Sequence, residues 1–359
     1  MIHELKENGV LRVAIVGAGN IATEHLSVWQ KIDGVEVSAV CDVNLNAARV
    51  MAAAANATPY DDFEVLIRDE RTDIIDICTP PRSHVPLALA AMDAGRHVLV
   101  EKPMAMDSAG AAALVEKQRA SSVQLGVMHN WLFHPVIWRA RTLVDRGEIG
   151  EVLTVNIQMV DSKDDAMIAD SSHWCHALPG GRFGESLIHP VYLVQAFVGP
   201  GRVDGVVAAK RGDYPWVRVD EVHATLVGER GTGTIYSSFN APRKMVVIEL
   251  FGTQGILRLD MISHTLVLLR DQTEGRMRKI AGNFQEASQV VESTLRSAVL
   301  HASRQAQPGH ERYMRQFVKA LNGGGPLPVT PAEAHSAVQA LEELCQRMDT
   351  ASLQPLAAK

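Results

Sequence analysis

The chain is poor in several things, and each shortage narrows the possibilities. Four cysteines occur in 359 residues (Cys41, Cys78, Cys175 and Cys345), and no two form a C-x-x-C pair. A disulfide framework is therefore not expected, and reduced thiols in a cytoplasmic setting fit the pattern better. Aromatic residues amount to 5%, so a core has to be built mostly from Ala, Val, Leu and Ile. There is no apolar run of about 18 residues, so no membrane span is expected. The N-terminal stretch M-I-H-E-L-K-E-N is charged where a secretory leader would be apolar. Basic charge is not in excess either. Lys and Arg number 35 against 41 Asp and Glu, and a formal net charge of -6 gives no footprint for nucleic acid or an anionic membrane. What remains is an ordinary globular balance, 47% hydrophobic and 21% charged. At about 150 residues per domain, the length accommodates roughly two domains.

The first third of the chain alternates two patterns. Short, nearly continuous apolar runs lie at 11–16, 35–41, 73–78 and 97–100, as in strands covered on both faces. Helix-forming stretches, Ala-rich at 47–57 and 86–94, separate them. This order predicts a parallel α/β sheet with right-handed crossovers. After about residue 150 the texture changes. Strand-like segments at 151–160, 203–210, 219–227, 232–239, 245–251, 255–260 and 264–270 follow closely, with G-T-Q-G at 252–255 as a tight turn. A largely antiparallel sheet with one covered face is expected there. Ala287, Val290, Val291, Leu295, Ala298, Val299 and Ala302 recur at helical spacing within 285–305. A last helix starts at a capping box, with Thr330 as N-cap, Pro331 in the first turn and Glu333 three residues on. Val338, Leu341, Leu344 and Met348 form its apolar stripe.

The first motif with chemistry is G-A-G-N-I-A at 17–22, between the first strand and the first helix. Gly17 permits a tight turn, Gly19 lets backbone approach a pyrophosphate, and Ala22 allows close helix–strand packing. Asn20 and Ile21 open the helix, where unpaired N–H groups face an anion. Asp42 falls 20 residues after Ala22 at the end of the next strand, where a carboxylate accepts hydrogen bonds from adenosine ribose hydroxyls. The segment Val43-Asn44-Leu45 has no Arg to neutralise a 2′-phosphate. NAD is expected rather than NADP.

Together with this cradle, C-T-P-P-R-S-H at 78–84 and V-L-V-E-K-P at 98–103 resemble the Gfo/Idh/MocA oxidoreductases, the family of glucose–fructose oxidoreductase and inositol dehydrogenase. The likeness continues through F-H-P at 133–135, E-I-G-E-V at 148–152, L-F-G-T-Q-G-I-L-R-L-D at 250–260 and the P-V-T-P entry to the last helix. It implies an N-terminal Rossmann dinucleotide-binding domain over 1–128. A C-terminal α+β domain with a large, mostly antiparallel open sheet would follow over 129–359. The last helix, 331–349, is a candidate to pack back on the first domain. By the same resemblance Lys102, preceded by Glu101, contacts substrate and nicotinamide ribose, and Thr79, Pro80 and His84 line the nicotinamide side. His84 equally suits a helix-start residue with no ligand contact. The C-terminal sheet is one through which relatives dimerise, so a homodimer or homotetramer is expected.

Family members often carry Asp-x-x-x-His on a helix after a Gly-rich entry. Here G-G-R-F-G-E-S-L-I-H at 180–189 puts His189 at the histidine and Glu185 at the acid. A spacing of four sets both on one helix face, where the carboxylate would orient the imidazole. Pro190 disfavours helical geometry at His189, so a kink or a helix start is expected there. Leu132 stands where many relatives have Arg, while Asn130 and Trp131 remain candidate substrate contacts. His173, Trp174 and His176 form a candidate substrate wall. With Cys175, Glu185 and His189 they also supply metal-ligand types, but H-x-C-H lacks a standard zinc spacing and no metal is expected. The implied activity is NAD-dependent oxidation of a secondary hydroxyl of a sugar, cyclitol or related polyol. Transient oxidation by retained NAD, enabling elimination or glycoside cleavage, uses the same residues. A non-catalytic regulator is a third class, and it would be expected to have lost Lys102 or His189. Segments 161–182 and 271–309 carry no recognisable specificity code.

Overall fold

The computed structural model describes residues 9–68, 71–270, 276–302 and 309–350. The N-terminal octet, and residues 271–275 and 303–308 of the long insertion, lie outside the described residues. Two compact units form, one from Met1–Asn130 with His310–Val338 and the other from Trp131–Gly309 with Gln339–Lys359.

The first unit alternates strand and helix: β1 Leu11–Val16, α1 Asn20–Trp29, β2 Val35–Cys41, α2 Leu45–Ala55, β3 Thr58–Tyr60, α3 Phe63–Ile67, β4 Ile74–Ile77, α4 His84–Asp93, β5 His97–Val100, α5 Ser108–Arg119 and β6 Leu125–Val127. The six strands pair in parallel in the order β3-β2-β1-β4-β5-β6. β4, β5 and β6 are buried along their whole length, which is why β4 and β5 read as nearly continuous apolar runs. Strand order reverses between β1 and β4, and the carboxyl ends of such strands are where open α/β sheets bind ligands.

The second unit contains α6 Pro135–Asp145, β7 Val152–Ser162, α7 Ala166–Ala169, α8 Arg182–Ser186, α9 Ile188–Val198, β8 Gly201–Ala209, β9 Glu221–Gly228, β10 Thr232–Ala241, β11 Met245–Gly252, β12 Ile256–Asp260, β13 Thr265–Leu269 and α10 Arg276–Ala302. Its sheet runs β13-β12-β11-β7-β10-β9-β8, antiparallel throughout except for the parallel β7–β10 pair. The expected G-T-Q-G turn closes the β11–β12 hairpin, Gly252 N donating to Gly255 O at 2.8 Å. One face is covered by the apolar α9, whose Val194 packs directly on Gly233 of β10. The last described helices are α11 Gly309–Leu321 and α12 Pro331–Thr350. The capping box forms: Thr330 N donates to Glu333 Oε2 at 2.8 Å, and Glu333 N to Thr330 Oγ1 at 3.2 Å.

Two local features differ from the sequence expectation. Residues 310–338 group with the first unit rather than the second. The cause is α11, whose buried Tyr313 and Phe317 pack against β6 at Gly126. Glu185 and His189 do not share one helix: α8 ends at Ser186 and α9 begins at Ile188. Pro190 has no N–H to donate toward Ser186, so the helical ladder is interrupted there. In α10 the large apolar residues Met277, Ile280, Phe284, Val290, Val291, Leu295 and Val299 are exposed. Its polar Gln289 and Ser293 point inward and bond the N–H and C=O groups of Leu268 and Leu266 on the edge strand β13.

Candidate active site

In the first unit, the β1–α1 turn has the form of an anion cradle. Gly17 has φ +99°, a region that favours glycine, and a Cβ there would lie 2.9 Å from the carbonyl of Cys78. Gly19 is the N-cap of α1, and a Cβ added to it would meet nothing within 4 Å. Among the described residues nothing fills that space, and the exposed Asn20 opens the helix beside it. Ala22 is fully buried, as close packing of α1 on the sheet requires. Asp42 follows β2 and accepts from Ala18 N at 2.7 Å and from Asn44 N at 2.8 Å. Its carboxylate is thus held at the rim of the cradle. These features fit a dinucleotide, with Gly17, Gly19, Asn20 and Ile21 at the pyrophosphate and Asp42 at the ribose.

The β4 and β5 exits carry the remaining candidates of this unit. His84 starts α4 and is fully buried, its Nδ1 2.8 Å from Pro103 O and its Nε2 2.7 Å from Thr79 O. The ring therefore sits between the Thr79-Pro80 segment and the cis Lys102-Pro103 segment, and in its neutral form it donates its single N–H to one of the two carbonyls. Burial holds the imidazole pKa down, against the pull of the two carbonyls. Glu101 is buried and turns inward, accepting from Lys102 N at 3.1 Å.

Beneath Lys102 lies a buried polar array that the sequence reading missed. His25 on α1 has no exposed surface. Its Nδ1 is 2.9 Å from Asp76 of β4, and its Nε2 is 3.0 Å from Glu101. Asp76 also accepts from Trp29 Nε1 at 2.6 Å. His310 of α11 adds a second imidazole, 2.7 Å from Glu24 and 4.0 Å from Glu101, with Asn130 Nδ2 at 3.0 Å. Burial by itself would lower the pKa of His25, but the Asp76 carboxylate overrides it and holds the ring protonated well above the ordinary histidine range. Burial likewise pushes Glu101 up, and the hydrogen bond and charge of His25 bring it down to about 2. The arrangement is an imidazolium between two carboxylates. His129, also buried, is pushed down to about 3 by burial and is neutral. Among the described residues, the groups of His, Cys and carboxylate atoms close enough for a metal both centre on His25. The imidazolium already accounts for that geometry.

In the second unit, His189 stacks face-on against Trp131, with ring centroids 4.2 Å apart and planes 15° from parallel. The Tyr192 hydroxyl lies 2.7 Å from His189 Nδ1 and also accepts from Trp131 N at 3.2 Å. Tyr192, one helical turn beyond His189, is therefore the oriented partner of this nitrogen. Glu185 pairs with Arg182 of the same helix, and Arg182 is also 3.6 Å from Asp165.

The S-H-W-C-H segment forms a short 3-10 turn, Trp174–Ala177, capped by His173 Nδ1 accepting from Cys175 N at 3.3 Å. Trp174 and His173 lie ring to ring at 5.3 Å. Cys175 points inward, donates toward Met167 O at 3.4 Å, and is pushed up to about 11 by burial. His176 helps line a cleft of about 170 Å³ with Arg182, Trp216 and Arg218. His173, Cys175, His176, Glu185 and His189 are not among the groups close enough to share a metal.

Two signals for the missed residues were present in the sequence. An acid inside the apolar run I-I-D-I marks Asp76, since buried carboxylates are rare unless paired, and Tyr192 stands three residues after His189 on a helix. His310 is brought in from a remote segment, and nothing local marks it.

Comparison with known proteins gives the same outline. A profile described as "Oxidoreductase family, NAD-binding Rossmann fold" matches residues 11–129, and the "GFO/IDH/MocA C-terminal domain" matches 137–258. An inositol 2-dehydrogenase of Salmonella paratyphi B is 34% identical over 154 residues, covering 41% of this chain and 45% of the relative, so the match spans under half of that protein's length. A dTDP-3,4-didehydro-2,6-dideoxy-alpha-D-glucose 3-reductase of Streptomyces violaceoruber is 26% identical over 83% of this chain and 87% of its own length. Among solved structures, the WlbA dehydrogenase of Bordetella pertussis, in complex with NADH and UDP-GlcNAcA, superposes with a TM-score of 0.79 at 19% identity. It covers 95% of this chain and 96% of its own. With the dinucleotide cradle formed and both family domains matched in order, the chain belongs to the GFO/IDH/MocA oxidoreductase family.

Proposed function

We propose that the chain is an NAD-dependent dehydrogenase oxidising a secondary hydroxyl of a sugar, cyclitol or related polyol. The observation that carries this reading is the fixing of His189 by Trp131 and Tyr192. A general base needs one ring nitrogen tied and the other turned to the reacting proton. With Nδ1–H donated to Tyr192 Oη, Nε2 is the atom that accepts the hydroxyl proton. Tyr192 Oη then accepts twice, from His189 and from Trp131 N. Lys102 holds the substrate oxygen and stabilises the negative charge that grows as the proton leaves. Bound NAD supplies the acceptor for the hydride leaving the carbinol carbon. Gly17, Gly19, Asn20 and Ile21 hold its pyrophosphate, and Asp42 holds the ribose and repels a 2′-phosphate. Thr79 and Pro80 face the nicotinamide, kept in place by His84.

Asn130, Trp131, His173, Trp174 and His176 are the proposed substrate contacts, the aromatic faces suiting the C–H surfaces of a ring polyol. Glu185, which also pairs with Arg182, orients His189 or contacts substrate. The names of the relatives, an inositol dehydrogenase and a sugar-nucleotide reductase among them, support a cyclitol or sugar substrate. A homo-oligomer in the cytoplasm, with its four thiols reduced, completes the reading.

The test is a panel of polyols and sugars with NAD, following NADH absorbance. The expected result is turnover with at least one member, lost on Lys102→Ala and on His189→Ala while NAD binding is retained. Undiminished turnover in Lys102→Ala overturns the proposal. Silence across the panel, with nucleotide still bound to purified protein, assigns the chain to chemistry that retains its NAD.

A further inference from the structure

α10 inverts the usual arrangement of an amphipathic helix. Gln289 and Ser293 face inward, where they bond the backbone of β13 and close the edge of the sheet. On the opposite side, Met277, Ile280, Phe284, Ala287, Val291, Leu295 and Ala298 follow at spacings of three or four residues. This places them on one stripe. The five large members are between 43% and 76% exposed, and Val290 and Val299 flank them, also exposed. At roughly 150–200 Å² for each large apolar side chain, these fractions amount to roughly 700 Å² of apolar surface. That exceeds the ~300–600 Å² patch normal on a monomer and approaches the ~800 Å² that each partner contributes to a stable dimer.

We infer that this stripe is a self-association surface, on which α10 of a second copy of the chain packs about a two-fold axis. Three features of α10 select a second copy. The exposed apolar area is of dimer size. No charged residue lies in the stripe, so two copies meet without like-charge repulsion across it. Large side chains alternate with Ala287 and Ala298, so one copy's bulky residues have small positions to pack against on the other. A two-fold contact uses the same patch on both partners and therefore has to be self-complementary. The flanking charges of α10 are mixed, with Arg276, Arg278, Lys279 and Arg296 against Glu286 and Glu292. Such a helix lacks the strongly basic polar face that seats one on an anionic membrane.

This inference rests on the homo-oligomeric part of the proposed function and is independent of the catalytic part. The test uses the full chain and sedimentation equilibrium at micromolar concentration. The expected result is an oligomer whose mass is halved by the paired substitutions Val291→Glu and Leu295→Glu, with far-UV circular dichroism and turnover unchanged. Because all four native cysteines are buried, Val291→Cys adds an exposed thiol of its own. A flexible bismaleimide is expected to join two such chains into a covalent dimer. An oligomer with the same mass in the Glu variant, and no cross-linking through position 291, overturns this surface but leaves oligomerisation standing. A monomeric wild-type chain overturns both. A monomer that binds anionic vesicles through α10 assigns the stripe to a lipid surface instead.

Discussion

Replacing Asp76 by Asn removes one charge from the buried array and changes almost no volume. Asp76 is fully buried and takes hydrogen bonds from His25 Nδ1 and Trp29 Nε1. An amide oxygen still accepts from one of these donors, but it no longer balances the His25 charge. Breaking a buried, hydrogen-bonded ion pair from one side costs about 3–5 kcal/mol. For a folding unit of this size that lowers Tm by on the order of 10 °C. The array also sets the sign of the pH dependence. His25 has its folded pKa raised, so its contribution is complete below the ordinary histidine pKa and is lost as pH rises through the raised value. Glu101 has its folded pKa depressed to about 2, so its contribution is complete above the ordinary carboxylate pKa and is lost as pH falls toward 2. Both contributions are therefore fully present between about pH 4.5 and 6.5. The assay is urea unfolding of wild type and Asp76→Asn at a series of pH values, read by circular dichroism and by fluorescence of the buried Trp29. The penalty should be largest near pH 6 and shrink at alkaline pH as His25 loses its proton. A penalty under about 1 kcal/mol at pH 6, or one that grows with pH, refutes an imidazolium held between two carboxylates.

Two further substitutions examine the candidate site. Tyr192→Phe deletes the hydroxyl that ties His189 Nδ1; without it the ring loses its preferred tautomer, and kcat should fall about tenfold with KM little changed. A wild-type pH–rate profile and kcat in this variant would show that the hydroxyl does not orient the ring. Gly17→Ala forces a Cβ to 2.9 Å from the Cys78 carbonyl at a φ that disfavours alanine. The expected cost is about 1–3 kcal/mol of stability together with weaker NAD binding, measured by thermal unfolding and calorimetric titration. Unchanged NAD affinity would separate this turn from the cofactor.

Much of the fold was legible because its signals are local. A strand covered on both faces has to be apolar throughout, and this located β1, β2, β4 and β5. A one-sided sheet alternates, and this located the seven strands of the second unit. Gly17, Gly19, Ala22 and Asp42 were readable because turn geometry, packing distance and charge act within about 30 residues of chain. The Thr330–Glu333 capping box was readable for the same reason.

Partnership was not legible. The sequence determined that His189 lies on a helix, that Pro190 disturbs it and that Glu101 precedes Lys102. Only the tertiary structure decided that the Tyr192 hydroxyl meets His189 Nδ1 and that Glu185 pairs with Arg182. Only it decided that His25, Asp76 and His310 gather around Glu101, since a buried charge is paired by whatever the fold brings within about 3 Å. For α10 the sequence determined an amphipathic helix, and tertiary structure decided which face turns inward. The unpaired N–H and C=O groups at the edge of β13 are costlier to leave unsatisfied than methyl groups are to expose. The polar face therefore went to the sheet, and the scarce large apolar side chains of a chain with few aromatics were left on the surface.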